Sequence, residues 1–440
     1  MKIKILSAIL FTFALFNAGF AQTLDKAKLD KFFDALAEKN KAMGSLALAK
    51  DGKILYSRAI GYSRISGDEK KASTVETKYR VGSIAKMFTA VMIFQLAEEG
   101  KLKLTDTLDK FYPQIPNAGK ITIAQILSHK SGIHSFTSDP DFGTWLMNPK
   151  TKDEMVAIIA KSKPDFEPGE KMQYSNAGYV LLGYIVEKVT GKSYQTALKE
   201  RITSKIGLSN TYLGSGKTDV SKNESFSFSY EGSWKEKTET DLSIPGGAGA
   251  LISTPTDLAK FIHALFELKL VSQESLDKMK TEKMGMFPFP LGEKTLYGHT
   301  GGIDGFSSML AYLPEEKLTI AYSSNGRVYP PNDILIGVFD VYYNKPFTIP
   351  TFETVAVSEA DLEKYVGVYA SEKFPLKITV TREGATLSAQ ATGQSAFPLE
   401  ATAKNAFKFE RAGIVLEFDA EKSQMTLKQG GRETVYTKEK

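Results

Sequence analysis

Apolar and polar positions along this chain switch between two periods, and each switch marks a boundary. The stretch LDKAKLDKFFDALAEKNKAM spaces its apolar residues at helical intervals and predicts an amphipathic helix. In SLALAKDGKILYSRAIGYS, two β-like runs flank Asp51-Gly52, which predicts a hairpin. From Ser83 to Glu99 the pattern is helical again, and Gly100 ends it. Ile84, Met87, Phe88, Val91, Phe94 and Leu96 cover most of that helix's circumference. A helix apolar nearly all round belongs inside a core. Residues from about 120 to 290 mix helical patterns with loops, and TPTDLAKFIHALFE carries a threonine cap. Near residue 305 the period returns to two. GFSSMLAYLP, a turn at EEK and LTIAYSSNG predict a second hairpin, followed by an apolar helix, DILIGVFDVYY.

The order is helix and hairpin, a helical middle, then hairpin and helix. This predicts an α/β (α+β) domain in which the terminal strands meet in one antiparallel sheet around a helical insert. The following NKPFTIPTFETVAVSEADLEKY holds two prolines and reads as a linker. Beyond it, PLKITVTREGATLSAQATG, GIVLEFD and SQMTLKQGGRETVYTK alternate strand and turn, predicting a small antiparallel sheet or barrel. The expected boundaries are 1–21, a leader; 22–345, the main domain; 346–360, the linker; and 361–440, the barrel. No internal repeat or low-complexity segment interrupts them.

The leader follows from the first 21 residues, MKIKILSAILFTFALFNAGFA. Two lysines, a short apolar run and small residues near Ala21 have the pattern of a secretory signal peptide cleaved after Ala21. The run is short for a membrane span. The expectation is export, to a periplasmic or extracellular location, with no stable membrane anchor after cleavage. There is no cysteine in 440 residues, which excludes disulfides, a lipid anchor on cysteine, a thiol nucleophile and thiolate metal ligands. The net charge is +5; without Lys2 and Lys4 it is 54 basic against 51 acidic residues, or +3. With no dense basic block, nucleic acid is not an expected partner.

Three short motifs carry candidate chemistry. Ser-x-x-Lys occurs at Ser83–Lys86 and again at Ser275–Lys278, where the charged context reads as a solvated helix face. At the first, the serine opens a helix that must be buried, and positions i and i+3 share a face. A desolvated Lys86 loses affinity for its proton and becomes able to act as a base. Read alone, Ser83 is equally a helix cap and Lys86 a surface residue. Tyr174-Ser175-Asn176 sits at a loop-to-helix transition after Pro168-Gly169; it offers a phenol and an amide, or simply a cap. His299-Thr300-Gly301-Gly302 enters a strand, where two glycines admit a ligand or another backbone at close range. No Gly-x-Ser-x-Gly is present. GSGKT at 214–218 lacks the first glycine of a phosphate loop, since Thr211 stands in its place. The four histidines, His129, His134, His263 and His299, form no His-Glu-x-x-His, and neither a metal nor a cofactor is expected.

Taken together, the three motifs in this order resemble those of the serine β-lactamase and penicillin-binding protein family. The likeness is to the branch holding class C β-lactamases, D-Ala-D-Ala carboxypeptidases, D-aminopeptidases and related esterases. TIAQILSHKSGI, IGLSNTYLG and GGAGALISTPTDLAKF add to the likeness, which spans roughly residues 25 to 345. The last ninety residues resemble small lipocalin-like β domains. The resemblance implies an acyl-enzyme on Ser83, with Lys86 or Tyr174 taking its proton. It implies that Asn176 orients Lys86 and the substrate amide, that His299, Thr300 and Gly301 form a substrate-binding strand, and that Thr300 helps hold a substrate carboxylate. The oxyanion hole would be the backbone N–H groups of Ser83 and Gly302. Histidine at 299 replaces the lysine of many relatives and implies a weaker grip on that carboxylate. The implied substrates are a small peptide, an ester or a β-lactam. The implied activity is D-Ala-D-Ala carboxypeptidase-like or that of a related peptidase or esterase. A class C-like β-lactamase, or a penicillin-binding sensor without fast turnover, are the alternatives.

Overall fold

The computed structural model describes residues 24–409 and 412–439; the expected leader at 1–21 lies outside them. The first amphipathic stretch is the helix Lys26–Glu38, capped by the Asp25 carboxylate on the Lys28 N–H. Leu29, Phe32, Phe33 and Leu36, one stripe at helical spacing, face the core. Asp51 and Gly52 both take positive φ, 49° and 73°, as a tight two-residue hairpin turn requires. They join the strands Ala42–Lys50 and Lys53–Ile60.

Among the described residues, six strands form one antiparallel sheet. Its order is Phe287–Leu291, Lys294–Ile303, Phe306–Leu313, Leu318–Arg327, Ala42–Lys50, Lys53–Ile60. The N-terminal hairpin therefore pairs with the late one, with Ala47 opposite Ala321, as the element order implied. The helices Lys26–Glu38 and Pro331–Tyr342 share an apolar core with one face of this sheet. The helical middle forms a larger core on the other, centred on the helix Ala85–Glu98. Twelve of that helix's residues, from Ala85 to Leu96, are buried, Lys86 among them.

Two local features depart from the sequence reading. Ser83 lies not in the α-helix but in a 3-10 turn, Gly82–Ile84, that feeds it. Gly82 takes φ 52°, a conformation glycine adopts without strain, and a Cβ there would stand 2.8 Å from the Gly302 nitrogen. The outer strand Phe287–Leu291 was not anticipated. Its Pro288 and Pro290 argue against a central strand, and proline is tolerated at an edge.

After the helix Pro331–Tyr342 the chain runs without helix or strand to Ser358, which caps the short helix Glu359–Glu363. Nine short antiparallel strands follow among the described residues. They curl into a nearly closed barrel, whose end strands Phe397–Pro398 and Glu400–Ala403 are separated in the chain by Leu399 alone. Across that seam the rings of Phe397 and Phe409 stack at 4.3 Å.

Candidate active site

Burial of Lys86 is complete, 0% exposed, because its helix is packed on every side. The ammonium-bearing atom nevertheless has three oxygen neighbours. Lys86 Nζ lies 3.0 Å from Ser83 Oγ, 2.8 Å from Asn176 Oδ1 and 2.8 Å from the Ala248 carbonyl. Desolvation holds its pKa well below the ordinary lysine value. The second Ser-x-x-Lys makes no such pair, since partly exposed Lys278 bonds Glu274 and Ser275 donates to Glu98.

Asn176 opens the helix Asn176–Thr190, and Ser175 is its cap, accepting from the Gly178 N–H. The cap therefore leaves Asn176 free to face inward. Its Nδ2 donates to Thr137 Oγ1 at 3.0 Å, which fixes Oδ1 on the lysine. Its backbone N–H donates to Ser135 Oγ at 3.1 Å. The Tyr174 ring lies 4.8 Å from Lys86 Nζ, and its hydroxyl interacts with Ser83. Burial of that hydroxyl pushes its pKa up, although the ring's outer part leaves the residue 37% exposed.

His299 and Thr300 point to opposite faces of the strand Lys294–Ile303, as the pleat requires. His299 is buried, 3% exposed, and its Nδ1–H donates to the Thr300 carbonyl. Burial depresses it to about 3, so the ring is neutral. Thr300 is exposed on the face that also carries Gly302. The neighbouring strand pairs only as far as Gly298, so residues 299–303 form an open edge. A Cβ on Gly301 would stand 2.0 Å from the Val81 carbonyl oxygen; the glycines admit another backbone, that of the turn carrying Ser83. This approach brings the Gly302 peptide beside the Ser83 turn.

The cleft above Ser83 has a volume of about 590 Å³. Its lining includes Gly82, Ser83, Asn176, Gly302 and Asp304, an apolar set of Phe136, Phe142, Leu146, Met147, Ile244 and Pro245, and the polar Thr137, Lys237, Thr238 and Thr240. Buried Arg80 holds the far side, with Glu239 at 2.7 Å and Asp304 at 3.4 Å. Asp304 also accepts from the Thr240 N–H and hydroxyl. A larger hollow of about 950 Å³ opens in the barrel, but its lining has neither serine nor histidine. GSGKT forms a turn followed by the three-residue 3-10 turn Val220–Lys222; Gly216 offers its carbonyl to Arg80 and Thr218 its hydroxyl to Glu239.

The motif reading did not include Ser135, Thr137, the Ala248 carbonyl or His129. His129 takes φ 56°, accepts from the Ser175 N–H at Nδ1, and packs against Tyr174 with ring centroids 4.2 Å apart and the planes tilted by 30°. Its sequence signal was present in TIAQILSHKSGI, but without a partner at fixed spacing.

A serine in a 3-10 turn and a buried lysine in the helix it feeds, facing the open edge of an antiparallel sheet, define the serine β-lactamase and transpeptidase fold. Residues 29–338 match the family model described as Beta-lactamase, and the chain belongs to that family, one of serine hydrolases. It is 26% identical to a penicillin-binding protein of Bacillus subtilis (strain 168), over 92% of this chain and 97% of that one. The structure of D-amino acid amidase from Ochrobactrum anthropi SV3, complexed with L-phenylalanine amide, superposes with TM-score 0.65 at 25% identity. It covers 72% of this chain and 98% of the amidase. The octameric penicillin-binding protein homologue from Pyrococcus abyssi gives TM-score 0.65 at 26% identity, covering 94% and 100%. That match extends through the barrel.

Proposed function

We propose that the protein is an exported hydrolase that cleaves a small ester, amide or peptide through an acyl-enzyme on Ser83. The observation that carries the reading is the placement of Lys86 Nζ between Ser83 Oγ and two carbonyl oxygens. Lys86 takes the Ser83 proton as the oxygen attacks the substrate carbonyl carbon. Tyr174, held protonated by burial, is the poorer base of the two and is placed to pass that proton to the leaving group. The oxyanion is received by the N–H groups of Ser83 and Gly302. Water then attacks the ester, releasing the acid and restoring Ser83. A D-amino acid amidase among the solved relatives supports a substrate of amide or peptide type.

Mass spectrometry after treatment with a fluorophosphonate or a fluorescent penicillin tests the reading. One adduct at Ser83, absent in Ser83→Ala, is expected. Unchanged ester and D-alanyl peptide hydrolysis by Ser83→Ala would sink it. Rapid loss of the adduct marks an enzyme with turnover, and an adduct stable for hours marks a sensor. Export is tested by the N-terminus of the mature protein, expected at Gln22.

A further inference from the structure

The reading of Ser83 as nucleophile leaves the substrate open, and the charges around the cleft narrow it. A carboxylate brought into a partly closed cleft loses water and needs a cation or several donors in exchange. The cations near the floor are already spent. Lys86 is fully buried, and its Nζ already has three protein oxygens as neighbours. Arg80 has a side chain 2% exposed, held by Glu239, Asp304 and the Thr240 carbonyl. His299 is buried beside Tyr174, ring centroids 6.1 Å apart, with Nδ1 bound to the Thr300 carbonyl. Among the residues lining the cleft, Lys237 is the remaining cation, and it is an exposed residue at the rim. The charged group set into the wall is an anion, Asp304, two residues from Gly302 and itself paired with Arg80, so the wall offers a carboxylate no free cation.

Opposite stands an apolar surface. The rings of Phe136, Phe142 and Trp145 interlock with centroids 5.0–5.9 Å apart. Leu146, Met147, Ile244 and Pro245 extend that surface, and Met147 is 55% exposed. Such a surface rewards a side chain or acyl group with no charge.

On the reading of Ser83 given above, we propose that this cleft selects neutral esters and amides bearing an apolar group, and discriminates against peptides with a free carboxylate beside the scissile bond. Thr300 and the open strand edge supply neutral hydrogen bonds to such substrates. A carboxypeptidase would need the reverse preference.

The test uses the full chain and one matched pair: N-acetyl-D-alanyl-D-alanine, and the same dipeptide with its C-terminus amidated. Hydrolysis of each is measured, together with its power to slow fluorophosphonate labelling of Ser83. The amidated compound should be preferred by about fivefold or more. A smaller ratio, a reversed one, or failure of both to compete overturns the proposal. In Lys237→Ala the preference should be unchanged. A loss of free-acid binding in that variant alone would place the carboxylate on Lys237 and overturn it as well. Absence of Ser83 labelling is a separate result, and it refutes the acyl-enzyme reading itself.

Discussion

Lys86 has three oxygen neighbours, and two of them, Asn176 Oδ1 and the Ala248 carbonyl, can only accept. A neutral amine has two N–H bonds. Directed at those two acceptors, they leave the lone pair facing the Ser83 hydroxyl. The active form is therefore the amine, and kcat/KM should fall as pH drops through a lysine pKa that burial has lowered. Lys86→Met removes the base and should lower kcat/KM by about 10²–10⁴-fold. Asn176→Asp puts a carboxylate against Nζ and favours the ammonium. The acidic limb of the kcat/KM–pH profile should then move to higher pH; a limb that stays in place would contradict the assignment of Lys86 as base.

At the scale of elements, the Ala248 carbonyl owes its position to two glycines. A Cβ on Gly183 of the helix Asn176–Thr190 would lie 3.1 Å from Gly247 Cα, so the helical turn Gly246–Gly249 rests directly on that helix. Thr89 holds the same turn by donating to the Gly247 carbonyl at 2.6 Å. Gly183→Ala should push the turn away, at a stability cost of about 1–3 kcal/mol read as a lower Tm. With the carbonyl withdrawn, the ammonium loses more than the amine does, and the acidic limb should move to lower pH, opposite to Asn176→Asp. Thr89→Val should shift the limb the same way without adding bulk. A fall in Tm with no movement of the limb would mean that the contact is structural alone.

The same elements show what a one-dimensional pattern carries. The buried helix, both hairpins, the enclosing sheet and the strand rhythm of the barrel were legible because apolar periodicity is a local property. Ser83, Lys86, Asn176 and Gly302 were legible as motif residues, and the fold brings them together. The Ala248 contact was not, because it is made by a backbone atom. The strand Phe287–Leu291 was hidden by its prolines. Arg80 and Asp304 stand 224 positions apart, and only the closed fold shows that buried Arg80 holds Asp304 in the cleft wall. His299 was legible as a site residue, but not the face of the strand on which it lies.

On the whole-molecule scale, two buried neutral imidazoles make the fold sensitive to acid. Burial lowers His129 and His299 from 6.5 to about 3, with the nearby Lys86 adding to the effect. In the unfolded chain both protonate near their ordinary value, so it binds more protons than the native state between those limits. The stability from neutral burial is complete above pH 6.5 and is lost progressively as pH falls toward about 3. Tm should drop between about pH 6.5 and about pH 4. A His129→Gln/His299→Asn double variant, less stable at neutral pH, should lose less over that interval. Parallel curves would refute the cause.

The margins of the two sheets have a consequence for life at high concentration. A free strand margin is a template on which another chain can assemble. Here the outer strand Phe287–Leu291 is interrupted by two prolines. On the other margin, Arg58 of the strand Lys53–Ile60 is tied to Asp30 and Asp34 of the helix beside it. The seam of the barrel exposes strands of only two and four residues. Each of these margins thus carries a proline, an ion pair or a short span that disfavours pairing with a strand of a second copy.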